Sequence, residues 1–251
     1  MPKVLAISDF DALTFDVYGT LIDWEPSIIA YLQNWSRRQG AALDDDALLM
    51  AFDRARALLQ AERPALPYHT VLRRALVAIG EEFALAADAE AQARFAAGPA
   101  TWPAYADAPA GLAALKSRVL VGALSNIDDA LLAHSCRRLA VTFDLTVTAE
   151  RVGAYKPDRP HFETAIADLA ARGIRRERIL HVGQSLRADI APANRLGLAS
   201  AWIARPDRRL GLSGDGAAEA RPDLTVSSLA ELVTRLAGDG DAARSDPSAA
   251  D

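Results

Sequence analysis

Short apolar runs alternate with amphipathic stretches over most of the chain, and this alternation constrains the fold more than any other feature. The run 12–18 is made of strand-forming residues and breaks at Gly19-Thr20. Comparable runs recur at 118–124, 145–148, 178–183 and 200–204, with a weaker one at 223–226. Helical patterns lie between them, over 107–117, 128–139, 159–173 and 187–196. Asp128 or Asp129 can cap its helix, and Gly173 and Gly197 suit helix ends. Mostly apolar strands separated by helix-length segments predict an α/β fold, a doubly wound parallel sheet of the Rossmann-like kind. Such sheets carry their sites in the loops beyond the carboxyl ends of the strands.

The stretch 24–101 breaks the rhythm, because it reads as helix throughout: 26–38, 44–61, 67–80 and 86–97, ended by Gly98-Pro99. A helical cap inserted after the first strand would sit above the sheet's carboxyl edge as a lid. The expected division is therefore a catalytic core of 1–23 and 102–237, a cap of 24–101, and a disordered tail of 238–251, where apolar periodicity is lost. With 51% hydrophobic residues the chain can fill a sizeable core. Acidic residues outnumber basic ones by 33 to 28, so no basic excess exists to neutralise a nucleic-acid backbone. The single cysteine, Cys136, excludes internal disulfides and reads as a small buried helix residue. Neither a signal peptide nor a bilayer-length apolar run is visible, so a cytoplasmic protein without membrane contact is expected.

Each of four strand ends carries chemistry. The first ends in Asp16-Val17-Tyr18-Gly19-Thr20 and the second in Ser125-Asn126. Lys156-Pro157 follows the third; Gly183-Gln184-Ser185, with Asp189, follows the fourth. Each element has a plain structural reading when taken alone. Asp16 could be a turn residue, Ser125-Asn126 a helix cap, Lys156 a solvated loop lysine and Asp189 a first-turn helix carboxylate. Together they place two carboxylates, a lysine and a Ser/Asn pair around one pocket. His69, His134, His161 and His181 lack metal-ligand spacing, and His181, inside a strand, reads as a core histidine. Trp202 belongs to a buried strand.

The order Asp-x-x-Gly-Thr, Ser-Asn, Lys-Pro and a late Asp resembles the haloacid dehalogenase superfamily, over nearly the whole chain apart from the tail. Phosphatases of that superfamily have a second Asp two residues after the nucleophile and a magnesium-binding Asp directly after the fourth strand; this chain has Tyr18 and Gln184 there. A neutral amide replaces a carboxylate poorly against a hard dication. Halide leaves without a proton, and a carboxylate substrate needs less charge neutralisation than a phosphoryl dianion. The fuller resemblance is to the L-2-haloacid dehalogenases, whose first motif reads like Tyr18-Gly19-Thr20-Leu21.

That resemblance implies metal-independent hydrolysis of short (S)-2-haloacids to (R)-2-hydroxyacids, with no cofactor. Asp16 is the implied nucleophile, kept ionised by Lys156 and oriented by Thr20, while Asp189 orients Lys156 or the hydrolytic water. Backbone amides of Val17 and Tyr18, with Ser125 and Asn126, are implied to hold the substrate carboxylate. A lid arginine is implied for the halide; Arg54 is favoured over Arg56, although Arg54 also reads as a surface residue. Trp24 and Tyr68 could supply apolar walls. The chain departs from the family at Phe162, where a Tyr is usual, and in its fourth loop, Gly183–Asp189, where a Ser/Asn-rich segment is usual. Family members are often homodimers, but no interface is legible. Hydrolysis of a phosphate ester or C–N bond, or carboxylate binding without catalysis, are the alternatives.

Overall fold

The computed structural model describes residues 5–206, 208–214 and 216–238. Six strands form one sheet: β1 (Ala12–Phe15), β2 (Leu120–Ser125), β3 (Leu145–Thr148), β4 (Ile179–Gly183), β5 (Ala199–Ile203) and β6 (Leu224–Val226). Their order is β3-β2-β1-β4-β5-β6, and every pairing is parallel. β1 is central, with Ala12 opposite both Leu120 and Ile179. The chain winds outward from β1 on one side and then crosses to β4 on the other. The strand order therefore switches at β1, where open α/β sheets open a crevice at their carboxyl edge.

β1 is shorter than its apolar run suggests. All four of its residues are buried, and it stops at Phe15 so that Asp16 can leave the ladder at the crevice. One tie persists, as the Asp16 amide still donates to the Val182 carbonyl at 2.9 Å.

Ten α-helices complete the described fold. Four lie between β1 and β2 in the chain: α1 (Glu25–Arg37), α2 (Asp45–Gln60), α3 (Tyr68–Phe83) and α4 (Ala89–Ala97). The others are α5 (Ala108–Lys116), α6 (Asp129–Leu139), α7 (Ala149–Val152), α8 (Pro160–Ala170), α9 (Ala191–Arg195) and α10 (Leu229–Ala237). In α2 the Asp44 carboxylate caps the amides of Asp46 and Ala47, and the stripe Leu48, Leu49, Phe52, Ala55, Leu59 is buried. That stripe meets the buried Val71, Leu72, Ala75, Leu76 and Ile79 of α3.

The segments that leave and re-enter the sheet layer are zipped together. Asp23 N donates to Pro103 O at 2.8 Å and Tyr105 N to Leu21 O at 2.9 Å. Beside this zip the Trp24 and Trp102 rings lie 6.1 Å apart, and Trp24 meets Phe52 edge-on at 5.8 Å. The expected tail falls almost wholly outside the described residues, at 239–251. Cys136 is half-buried rather than buried, and so is Trp202. Among the described residues no helix is long and apolar enough to cross a membrane.

Candidate active site

Asp16 stands at the carboxyl end of β1, where the backbone folds back so that Leu21 N and Ile22 N both donate to the Val17 carbonyl. Gly19 makes this turn at φ 105°, a conformation L side chains rarely adopt, and a Cβ there would lie 2.8 Å from Arg208 Nη2. The tight turn returns Thr20 to Asp16: its hydroxyl donates to Asp16 Oδ2 at 2.7 Å and accepts the Gln184 amide at 2.9 Å.

Lys156 follows the short helix α7 and is fixed at both ends. Asn126 holds its backbone through a reciprocal pair, with Lys156 N donating to Oδ1 at 2.7 Å and Nδ2 donating to Lys156 O at 3.0 Å. The buried ammonium donates to Asp16 Oδ1 at 2.9 Å, Asp189 Oδ1 at 2.7 Å and the Leu124 carbonyl at 2.7 Å. These bonds use the three donors an ammonium has.

Asp189 arrives by a different route from the single helix expected over 187–196. The backbone widens into a π turn over Leu186–Ile190 before α9 begins. Ile190 N reaches back to Ser185 O, Ala188 N is capped by Ser185 Oγ, and Ser185 N donates to Asp189 Oδ2 at 3.1 Å. The wider turn points the carboxylate inward at Lys156, a use of π geometry frequent at functional sites. Gly183 gives it room, since a Cβ there would lie 2.4 Å from the Asp189 Cβ. His181 lies behind, buried as expected of a core histidine, with Nε2 3.6 Å from Asp189 Oδ1 and Nδ1 3.0 Å from the Thr14 hydroxyl.

One ammonium thus serves two carboxylates. Burial pushes the Asp16 carboxyl above its ordinary range and the Asp189 charge adds to this; Lys156 and Thr20 pull the other way. Burial would also raise Asp189, but Lys156 and His181 outweigh it and hold Asp189 down at about 2. Burial disfavours the Lys156 charge, yet the two carboxylates keep the ammonium protonated above its usual value. His161, which donates from Nε2 to the Ser125 carbonyl at 3.2 Å, is depressed to about 3 by burial and by Lys156. Burial raises the Tyr18 phenol, whose oxygen bonds to Ser135 Oγ at 2.6 Å.

A cavity of about 60 Å³ opens onto this cluster, lined among others by Asp16, Tyr18, Trp24, Asn126, Lys156 and Asp189. Val17, Thr20 and Ser125 are fully buried behind its wall. Tyr68 is buried outside the cavity's lining, with its backbone amide held by Asp128 at 2.7 Å. The expectation of Arg54 as the lid cation is corrected. Arg54 lies on the outer face of α2, with its side chain 58% exposed and paired to Glu82 at 2.6 Å. Arg56 is the arginine of α2 that lines the cavity, with its guanidinium 5.3 Å from the Trp24 ring centre. Gln184, read in the sequence only as a departure from the magnesium-binding Asp, also lines the cavity, and so does Arg208, which the sequence did not single out. Gln184 Nε2 donates to Leu210 O at 3.0 Å, which ties the loop after β5 to the site.

The magnesium that superfamily phosphatases hold does not suit this donor set. Both Asp16 oxygens accept from Lys156 or Thr20, both Asp189 oxygens accept from Lys156 or Ser185 N, and the residue after β4 is an amide. Among the described residues no group of His, Cys, Asp and Glu is arranged to hold a metal.

Residues 10–197 match the haloacid dehalogenase-like hydrolases, and the chain belongs to this family. The L-2-haloacid dehalogenase PA0810 shares the fold with a TM-score of 0.74 and 27% identity, over 91% of this chain and 99% of that one. The L-2-haloacid dehalogenase of Xanthobacter autotrophicus superposes with a TM-score of 0.75 at 20% identity, over 92% and 99%. In sequence, the pyrimidine 5'-nucleotidase YjjG of Escherichia coli is 33% identical over 127 residues, 50% of this chain. The match spans 53%, about half, of that nucleotidase.

Proposed function

We propose that the protein is a metal-independent dehalogenase of short (S)-2-haloacids, and that Asp16 is its nucleophile. One observation carries this reading. Asp16 is set up to attack, with Thr20 on one oxygen and Lys156 on the other, but the position two residues on offers no general acid. That residue is Tyr18, a phenol raised by burial and bonded to Ser135. A site that can attack but cannot protonate a leaving group suits a leaving group that needs no proton, as halide does. The likeness to PA0810 agrees with this reading.

In the proposed reaction an Asp16 oxygen attacks the α-carbon opposite the halogen. The carbon–halogen bond breaks, halide leaves with the bonding pair, and an aspartyl ester forms. Water then adds to the ester carbonyl; as the intermediate collapses, the ester C–O bond breaks, one water proton goes to the departing oxygen to give the (R)-2-hydroxyacid, and the other is released to solvent as the Asp16 carboxylate is regenerated. Lys156 keeps Asp16 anionic in the first step, and Asp189 holds Lys156 in place. Arg56 meets the departing halide from the lid. Residues 24–101 form that lid over a core of 1–23 and 102–237, and its closure excludes bulk water from the ester.

The nucleotidase likeness favours a second reading, hydrolysis of a small phosphate monoester. Against it stand the missing general acid and the donor set unsuited to magnesium. Halide release from (S)-2-chloropropionate in excess EDTA, abolished in Asp16→Asn, is the expected result. Phosphate release that requires magnesium, without halide release, would replace the first reading with the second.

A further inference from the structure

Much of the cavity's wall is made of donors. Four residues lining it carry buried nitrogens without a hydrogen-bond partner among the described residues: Trp24 Nε1, Arg56 Nε, Gln60 Nε2, and Nε and Nη1 of Arg208. Buried donors left unpaired are costly, so such a wall calls for an occupant rich in acceptors. The carboxylates that line the cavity, Asp16 and Asp189, already share Lys156.

Arg208 is the more deeply set of the two arginines among these donors. Its side chain is 3% exposed, its Nη2 lies 3.0 Å from Glu25 Oε1, and its guanidinium sits 4.9 Å from the Trp24 ring centre. Nη1 reaches Asp23 only at 3.9 Å. The loop that carries it is clamped from two sides. Glu25 accepts the amides of Arg209 and Leu210 at 3.1 and 3.0 Å, while Gln184 donates to the Leu210 carbonyl. Gln184 Oε1 and Arg208 Nη2 both lie within about 3 Å of the point where a Gly19 Cβ would stand. The amide that follows β4 therefore helps bring a guanidinium up to the nucleophile's own loop.

We infer that Arg208 binds the substrate's carboxylate, an inference that rests on the dehalogenase reading and adds a residue to it. Side and shape both support the role. A halide departs from the face opposite the attacking oxygen, whereas Arg208 packs against the loop that carries Asp16. A planar guanidinium fork also matches a carboxylate, and a spherical halide makes no use of it. The Asn126 amide is engaged with the Lys156 backbone, and the Ser125 residue is fully buried. Arg208 adds to the neutral donors of this region a charged fork on the nucleophile's side.

A carboxylate carries the same charge in ground and transition states, so losing its anchor weakens binding without slowing chemistry. In Arg208→Gln the KM for (S)-2-chloropropionate should rise about 10- to 100-fold with kcat within about threefold. The ratio of kcat for the bromo and chloro acids should not move. Calorimetric titration with propionate, which cannot react, should show the same weakening in Arg208→Gln and none in Arg54→Gln. Glu25 keeps two backbone donors in the variant; should Arg208→Gln nonetheless fail to fold, Arg208→Lys keeps the charge and should give an intermediate rise in KM. A fall in kcat with a changed bromo-to-chloro ratio would overturn the inference in favour of a halide role. Unchanged KM and unchanged propionate binding would overturn it outright. If no 2-haloacid releases halide, the reaction assignment fails, and the propionate titration still decides whether Arg208 binds carboxylate.

Discussion

Replacing Lys156 with Met tests the electrostatics of the site most severely. The ammonium lies 2.9 Å from Asp16 Oδ1 with its side chain 1% exposed. With an effective dielectric constant of ~20, an attraction at that distance is worth at most about 6 kcal/mol, or about four pKa units on Asp16. Water entering the vacated space would recover part of this, so a rise of at least about two units is expected. Asp16 already sits above the ordinary carboxylate range because of burial and Asp189, and attack requires its ionised form. The sign follows: activity is lost as pH falls through the Asp16 pKa, and the variant should lose it at higher pH. On the acid limb, at any pH below both pKa values, kcat/KM of the variant should be lower by about 100-fold or more and climb about tenfold per pH unit until Asp16 is ionised. The assay is a pH–rate profile of halide release from (S)-2-chloropropionate for parent and variant. An acid limb that stays where it was would refute the reasoning.

The opposite shift is expected from Asp189→Asn, because the Asp189 charge raises Asp16. Its acid limb should move down, while the loosened Lys156 lowers kcat about tenfold or more, read from the same profiles. Steady-state kinetics should separate the two lid arginines: Arg54→Gln leaves kcat/KM within about twofold, whereas Arg56→Gln lowers it about 10- to 100-fold. His161 is held neutral to about 3 in the fold but protonates near 6.5 once unfolded. Its contribution to stability is complete above pH 6.5 and declines as pH falls toward 3, by up to about 5 kcal/mol. Urea denaturation from pH 7 to 4 should show this slope in the parent and a shallower one in His161→Gln.

The parallel core and three of the four loops of the candidate site were legible because they are local in sequence. A run of strand-forming residues that breaks at polar residues marks the carboxyl end of a strand: Asp16 and Ser125-Asn126 stand at such ends, and Lys156 follows β3 by one short helix. Long-range packing was not legible. Arg54 and Arg56 are two residues apart on α2, so they project about 200° apart around its axis. The stripe itself held the clue: Leu49, Phe52, Arg56 and Leu59 recur at helical spacing, which puts Arg56 beside the buried face and Arg54 off it. The geometry of Asp189 depends on the wider turn that Ser185 stabilises, and periodicity does not report such a turn. Arg208 could not be found by spacing at all, because its place is set by Glu25 and Gln184, each far away along the chain.

The central claim is that an oxygen of Asp16, not of water, becomes the product's hydroxyl. A single turnover with enzyme in excess over (S)-2-chloropropionate, run in heavy-oxygen water, tests it directly. Water that attacks the ester carbonyl leaves its oxygen in the Asp16 carboxylate. The account therefore predicts unlabelled (R)-lactate and a heavy Asp16 peptide by mass spectrometry. Labelled lactate from the first turnover, with an unlabelled Asp16 peptide, would contradict it.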